Sequence, residues 1–122
     1  MAYIAQNPEI YQGTTVGNGQ CVAFVQKSSG APVTSGWHLG PKVKANAIQN
    51  GTAIATFDAD GAYGNHTDGT SHAAIYISQD ASGLQVWDQW TGQPVHRRTI
   101  RFQGGAAGVK PVNDGDAFYV IA

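Results

Sequence analysis

From residue 52 onward, the chain is a series of short apolar segments separated by stretches rich in Gly, Asp, Asn and Ser. Apolar runs of this length, bounded by turn-forming residues, are typical of β-strands. The segments 72–78 and 84–90 are joined only by residues 79–83, which predicts a hairpin. The second half is therefore expected to form an antiparallel sheet, with strands over residues 52–57, 72–78, 84–90, 95–102 and 116–121.

The first half carries two patterns that predict helices. One helix is expected to begin after Asn18, a good N-cap residue, and to end near Gly30. A second is expected from Pro41, at the first helical position, to about Asn50, with three apolar residues facing inward: Val43, Ala47 and Ile48. N-terminal helices followed by strands predict an α+β fold, with the helices packed on an antiparallel β-sheet.

Size and charge narrow the classes of protein that this chain can represent. A length of 122 residues fits one domain spanning residues 1–122. The net charge of −1, from 7 basic and 8 acidic residues, argues against a nucleic-acid partner. Arg97, Arg98 and Arg101 cluster on one predicted strand, which we interpret as a solvated sheet edge. No apolar run approaches the roughly 20 residues of a membrane-spanning helix, so no membrane insertion is expected.

Cys21 is the single cysteine, so it has no partner for an internal disulfide. It falls in the first turn of the first predicted helix, where the helix dipole favours a negatively charged sulfur. A helix N-terminus and a neighbouring imidazolium lower the pKa of a thiol well below its ordinary value of about 8.5. Cys21 is therefore either a small core residue or a nucleophile, and its position at a helix start favours the nucleophile.

Two further positions complete a candidate catalytic set. His72 begins a predicted strand directly after residues 58–70, a polar segment expected to be a mobile or functional loop. Asp88 and Gln89 are adjacent on the next predicted strand, and either side chain can orient an imidazole. Asp88 is preferred because a carboxylate also stabilises the imidazolium, but Gln89 stays open as the orienting residue. The predicted catalytic residues are therefore Cys21, His72 and Asp88.

The other histidines, His38, His66 and His96, show no metal-ligand spacing, and there is no second cysteine. No metal and no other cofactor are expected.

The motifs around these residues resemble those of a known superfamily. Residues 19–25 (GQCVAFV) resemble the cysteine motif of CHAP domains, and residues 71–77 (SHAAIYI) resemble the histidine strand of CHAP and NlpC-type peptidases. Residues 86–90 (VWDQW) resemble the strand that carries their third polar residue. Within this superfamily, the chain is similar to small bacterial type VI secretion amidase effectors. Many CHAP domains carry Glu and Asn two positions apart on the third strand, whereas Asp88 and Gln89 are adjacent here.

The resemblance implies a papain-like fold and a thiol hydrolase that cuts amide bonds in peptidoglycan stem peptides or crosslinks. The bond between D-alanine and meso-diaminopimelate is the expected target. A cognate immunity protein is the expected partner. Residues 1–8 lack the features of a secretory signal. We therefore expect secretion without a cleavable signal peptide and action in the periplasm of a target bacterium.

Five alternatives stay open at this point. The same site would serve a phage-type lysin, a protein glutamine deamidase or an acyl transferase. A different class is an inactive binding module in which Cys21 is a core residue and the tryptophans hold a ligand. An immunity or scaffold protein without chemistry is the remaining reading, and the strands bearing His72 and Asp88 disfavour it.

Overall fold

The protein is an antiparallel sheet of six strands with an α-helix packed against one face. The computed structural model describes residues 2–122. In chain order the elements are helix α1 (Cys21–Ser29) and strands β1 (Leu39–Lys42), β2 (Ala53–Thr56), β3 (Ala73–Gln79), β4 (Gly83–Trp90), β5 (Gln93–Arg101) and β6 (Phe118–Ile121). The strand order in the sheet is β1-β6-β2-β3-β4-β5. Short 3-10 helices lie at Pro8–Tyr11, Thr34–Gly36, Pro111–Asn113 and Gly115–Ala117.

Helix α1 begins later than its sequence pattern predicted. Gln20, in extended conformation, is the N-cap residue, so Cys21 is the first helical residue rather than the third. Asn18 does not cap the helix; its side-chain oxygen instead accepts a hydrogen bond from the Gln20 amide in the preceding turn. The predicted end is confirmed, because Gly30 adopts the left-handed conformation with φ of 76° that commonly closes a helix.

The helix packs on the central strands because the sheet presents small side chains there. Phe24 and Val25 of α1 are fully buried against a surface of β2 and β3 that includes Ala53, Ala55 and Ala73. Three alanines let the helix approach closely, which brings its first residue near the start of β3. The opposite face of the sheet has its own core, made largely of Ile54, Ala74, Tyr76, Leu84, Val86, Ile100, Phe118 and Val120.

The second predicted helix is wrong. Residues 39–42 form edge strand β1, which pairs with β6, and residues 43–50 continue as turns and loop. Of the three residues predicted to face inward, Val43 is fully buried, Ile48 is half-buried and Ala47 is exposed. The Gln79 side chain bonds to this segment, donating to the carbonyl oxygens of Val43 and Asn46. These contacts from a distant strand supply the hydrogen bonds that a helix would have made internally.

The predicted strands are confirmed with small shifts of their ends. Strands β4 and β5 form a long hairpin around Thr91 and Gly92, in which Asp88 lies opposite His96. Gly92 has φ of 88°, which a tight hairpin turn requires and which glycine adopts without strain. Within residues 2–122, no helix is long and apolar enough to cross a membrane.

Candidate active site

The turn before α1 places the thiol at the exposed end of the helix. The Gly19 amide donates to the Val16 carbonyl at 3.0 Å, and Gly19 has φ of 84°, a conformation that favours glycine. The chain then extends through Gln20 and enters the helix at Cys21. The amide of a first helical residue has no acceptor within its helix, so the Cys21 N–H is not used by a helical hydrogen bond.

The Cys21 thiol is half-buried and contacts three polar groups. The Tyr63 hydroxyl lies 3.8 Å from Sγ, and the His72 imidazole and the Ala73 amide lie near enough to lower the pKa of the thiol. Burial opposes ionisation of the thiol, but the hydrogen bond and positive charge of His72, helped by Ala73 and Tyr63, outweigh it. The pKa of Cys21 therefore lies below its ordinary value.

His72 lies between the thiol and a buried carboxylate. Its Nε2 donates to Asp88 Oδ2 at 2.8 Å, which leaves Nδ1 as the nitrogen that serves Cys21. Burial disfavours the imidazolium, but the hydrogen bond that His72 donates to Asp88 and the contact with Cys21 more than compensate and raise the pKa of His72 to about 9. The resting site therefore favours a thiolate and an imidazolium as a pair.

Asp88 is fully buried and is surrounded by basic groups. Besides His72, Arg98 Nε donates to Oδ2 at 2.6 Å, and His96 Nε2 lies 3.0 Å from Oδ1. The His96 contact is not aligned as a hydrogen bond, so within residues 2–122 both of its atoms are buried without a hydrogen-bond partner. Burial opposes ionisation of Asp88, but its hydrogen bond and charge interaction with His72, followed by those with Arg98, hold its pKa below the usual range.

Gln89 points to the opposite face of β4 from Asp88 and contacts the helix entry instead. It is fully buried, and its Oε1 accepts from the Val16 amide at 2.9 Å. Its Nε2 donates to the carbonyl oxygens of Val16 and Gln20 at 2.9 and 2.8 Å. Gln89 thus fixes the backbone on which the thiol is mounted and makes no contact with the His72 ring.

A cleft of about 290 Å³ opens over the thiol, and the polar loop of residues 58–70 forms one wall. His66 lies on this wall and pairs with Asp58 at 2.8 Å. Tyr63 anchors the loop, with 7% of its surface exposed, and packs against Trp37 at 4.7 Å between ring centroids. The cleft is lined by Gln20, Cys21, Asn65, His66, Thr67, Ser71, His72, Trp90 and Thr91. The largest cavity, about 680 Å³, lies beside residues 11–17 and α1 and does not include the thiol.

The structure brings Cys21, His72 and Asp88 into one connected group, as their order in the sequence predicted. Sequence reasoning missed three residues of this group. Arg98 was assigned to a solvated edge, but its side chain is only 20% exposed and turns onto Asp88, while Arg97 stays in solvent. His96 was not detectable by counting back across the Thr91–Gly92 turn, which would place Val95 opposite Asp88; a register shift between Asp88 and Trp90 brings His96 there instead.

Tyr63, the third missed residue, carried no signal within its Gly- and Asp-rich loop. Within residues 2–122, no three His, Cys, Asp or Glu side chains are placed to hold a metal ion.

A thiol at a helix N-terminus, facing an imidazole and a carboxylate from an adjoining antiparallel sheet, defines a papain-like cysteine hydrolase of the NlpC and CHAP type. Residues 1–121 match the family described as "Dae2: Domesticated amidase effector 2". The chain belongs to this family of amidase effectors.

Individual relatives agree with the family assignment. The chain is 40% identical to "Domesticated amidase effector 2" of Ixodes scapularis, covering 94% of this chain and 81% of the relative. It is 32% identical to "Type VI secretion amidase effector 2 protein" of Salmonella typhi, covering 99% of each. The solved structure "Type 6 secretion amidase effector 2 (Tae2)" superposes with a TM-score of 0.83 at 34% identity, covering 98% of this chain and 93% of that one. These matches confirm the predicted papain-like α+β fold and the predicted likeness to amidase effectors.

Proposed function

We propose that this amidase hydrolyses amide bonds in peptidoglycan stem peptides or crosslinks, with Cys21 as nucleophile, His72 as acid and base, and Asp88 as the group that orients His72. The observation that carries the proposal is the connected series from the Cys21 thiol through the His72 imidazole to the fully buried Asp88. A core cysteine would have apolar neighbours and a raised pKa, whereas this thiol has three polar neighbours and a lowered one.

The geometry supports a sequence of steps that conserves protons. The Cys21 thiolate attacks the scissile carbonyl carbon, and the developing oxyanion is stabilised by the Cys21 amide at the start of α1. As the C–N bond breaks, His72 transfers its proton to the leaving amine, and a thioester with Cys21 forms. Water then attacks the thioester, giving its proton to His72, and releases the carboxylic acid and the resting thiolate–imidazolium pair.

Asp88 acts only through His72 in this sequence. Because it binds Nε2, it keeps Nδ1 directed toward the thiol and stabilises the imidazolium. Gln89 is not proposed as the orienting residue, since its three hydrogen bonds are all made to the Val16 and Gln20 backbone.

The finer points of the biology are also part of the proposal. The bond between D-alanine and meso-diaminopimelate is the proposed target, and the periplasm of a target bacterium is the proposed place of action. Delivery by a type VI secretion system is supported by the names of the Salmonella relative and of the solved structure. A reactive thiol that cuts cell wall endangers the producing cell, so a cognate immunity protein that blocks the Cys21 cleft is the proposed partner.

Digestion of purified peptidoglycan sacculi tests the proposal. The wild type is expected to release new stem-peptide fragments, resolved by chromatography and mass, and Cys21→Ala and His72→Ala are expected to release none. His38→Ala is the matched control, because His38 is exposed and does not line the thiol cleft.

The remaining outcomes separate the alternatives. An unchanged muropeptide profile with a Cys21 that still alkylates rapidly at about pH 6 would move protein glutamine deamidation to the front. An unchanged profile with an unreactive thiol would support a binding module.

A further inference from the structure

A second cavity, of about 400 Å³, adjoins the thiol cleft on the far side of His72. The two spaces share Thr67, His72 and Trp90, but only the first is lined by Cys21. The two neighbouring spaces are together called the groove here, with the thiol at one end, His72 between them and Arg98 at the other end. The second cavity is lined by Thr67, Gly69, His72, Trp90, Arg98, Val112 and Asn113.

Arg98 presents unused hydrogen-bond donors to this cavity. Its Nε is taken by Asp88, and its Nη2 makes one long hydrogen bond of 3.4 Å to the Val112 carbonyl. Among residues 2–122 its Nη1 has no hydrogen-bond partner and is not among the fully buried atoms, so it opens into the cavity it lines. The guanidinium lies 5.2 Å from the centre of the Trp90 ring, and this contact together with the bond to Asp88 fixes its plane.

The charges around the cavity favour an anion. The Asp88 carboxylate lies behind Arg98, fully buried, and interacts with both the Arg98 guanidinium and the His72 imidazolium. Its single negative charge is thus shared between two cations, while the Cys21 thiolate that pairs with His72 lines only the other cleft. The polar residues that line the cavity are Thr67, His72, Arg98 and Asn113, and none of them carries a negative charge.

The proton transfer from His72 indicates which half of the substrate would occupy this cavity. His72 must give its proton to the leaving nitrogen, so the amine half of the substrate lies on the His72 side of the groove and the acyl half lies on the Cys21 side. We propose that the Arg98 cavity binds a carboxylate carried by the amine-side residue, on the carbon next to the scissile nitrogen. The inference rests on the proposed hydrolysis at Cys21 and adds to it a residue that determines specificity.

Two synthetic peptides that differ only in this carboxylate test the inference. In one, the leaving amine bears a carboxylate on the adjacent carbon; in the other, that carbon bears hydrogen. The wild type is expected to cleave the first with a kcat/KM about tenfold or more higher, as for a hydrogen bond between charged groups. Cleavage of neither peptide would refute the proposed hydrolysis itself, whereas equal kcat/KM for both would overturn only the assignment of the cavity.

Measuring both peptides with the Arg98→Gln variant separates a direct contact between Arg98 and the substrate from an effect that Arg98 exerts through Asp88. If Arg98 contacts the carboxylate, the variant loses much more kcat/KM on the first peptide than on the second, and the preference nearly disappears. An equal loss on both peptides would show that Arg98 acts only through Asp88, and would overturn the inference. Arg97→Gln, which alters an exposed residue of the same strand, is expected to leave the preference unchanged.

Asn113→Asp provides a second test that leaves Asp88 and Arg98 in place. Asn113 is exposed at the cavity and its side chain makes no hydrogen bond within residues 2–122, so the nearly isosteric change adds one negative charge. The preference for the first peptide is expected to fall about two- to fivefold, as for a solvent-screened charge. An unchanged preference in a folded Asn113→Asp variant would contradict an anion site here.

Discussion

Replacing Cys21 by alanine should add a dependence of fold stability on pH in a range where the Cys21–His72 pair of the wild type contributes no slope. The pKa of His72 is raised to about 9 in the fold from an ordinary 6.5. Because folding raises the pKa of His72, protonated His72 stabilises the fold. This stabilisation is complete at pH values below about 6.5 and is lost as the pH rises through about 9. The pKa of Cys21 is lowered, so its contribution has the opposite sign and grows as the pH rises.

The two contributions cancel in the wild type. The folded pair holds one proton, on His72, and the unfolded chain between these pKa values also holds one, on the Cys21 thiol. Because the proton counts match, the pair gives no slope of stability against pH. In Cys21→Ala the thiol term is absent, and the folded protein binds a proton that the unfolded chain does not. Its stability should therefore fall as the pH rises from about 6.5 to about 9.

The size of this fall has an upper limit. The difference between 6.5 and about 9 corresponds to about 3 kcal/mol, at about 1.4 kcal/mol per unit of pKa. His72 is only 6% exposed, so solvent screening requires little discount. Loss of the thiol removes one of the two groups that raise the pKa of His72, so the measured change should lie below this limit.

Urea denaturation of both proteins at several pH values measures the difference. Other groups, including the exposed His66, titrate alike in both variants and cancel when the curves are subtracted. Parallel curves with no slope would mean that His72 is not held protonated by Asp88. Parallel curves that both fall with pH would mean that the resting thiol is not ionised. Either result would refute the thiolate–imidazolium assignment.

Three other substitutions test separate parts of the site. Asp88→Asn removes the charge that holds His72 and should slow alkylation of the thiol at about pH 6 and lower kcat/KM by about 100-fold or more; rates within a fewfold of wild type would contradict the role given to the carboxylate. Gln89→Leu removes three part-buried hydrogen bonds to the Val16 and Gln20 backbone and should lower the free energy of unfolding by about 3 kcal/mol, at about 1 kcal/mol each, measured by urea denaturation; a change under about 1 kcal/mol would show that these groups find other partners. Gly64→Ala places a methyl group against the His66–Asp58 pair and should return the pKa of His66 toward its ordinary value, followed by NMR titration; an unshifted titration would mean that the loop yields without breaking the pair.

The strands could be predicted from the sequence because each is encoded locally, by apolar runs between turn residues. Strand β1 could not be predicted in this way. Its Pro41 and its spaced apolar residues imitate the start of an amphipathic helix, and what decides its conformation is pairing with β6 at the far end of the chain. Proline is tolerated there because β1 lies at the sheet edge, where an amide hydrogen is not needed on the open side.

The candidate site also has a part that could be predicted from the sequence and a part that could not. The thiol, the imidazole and the acid could be predicted from their residue types and order, whereas the groups around Asp88 depend on how β4 and β5 are aligned. The basic residues of β5 alternate between the two faces, so deciding which of Arg97 and Arg98 reaches inward requires the hairpin register. Tyr63 depends on a loop that folds back between the helix and an aromatic cluster, a path that no local pattern specifies.

The adjacency of Asp88 and Gln89 makes the protein unusually intolerant of insertions or deletions in β4. A slip of one residue exchanges the two faces of a strand. In one direction the slip would place the Gln89 amide beside His72 and Trp90 at the Val16 and Gln20 backbone. In the other direction it would place Trp87 beside His72 and the Asp88 carboxylate against the Val16 and Gln20 carbonyl oxygens, which repel it. One misalignment would thus disturb both His72 and the backbone that carries Cys21. The side chains that the site requires therefore also make the misaligned pairing of β4 less stable. The length of this strand should vary less among functional relatives than that of any other strand in the sheet.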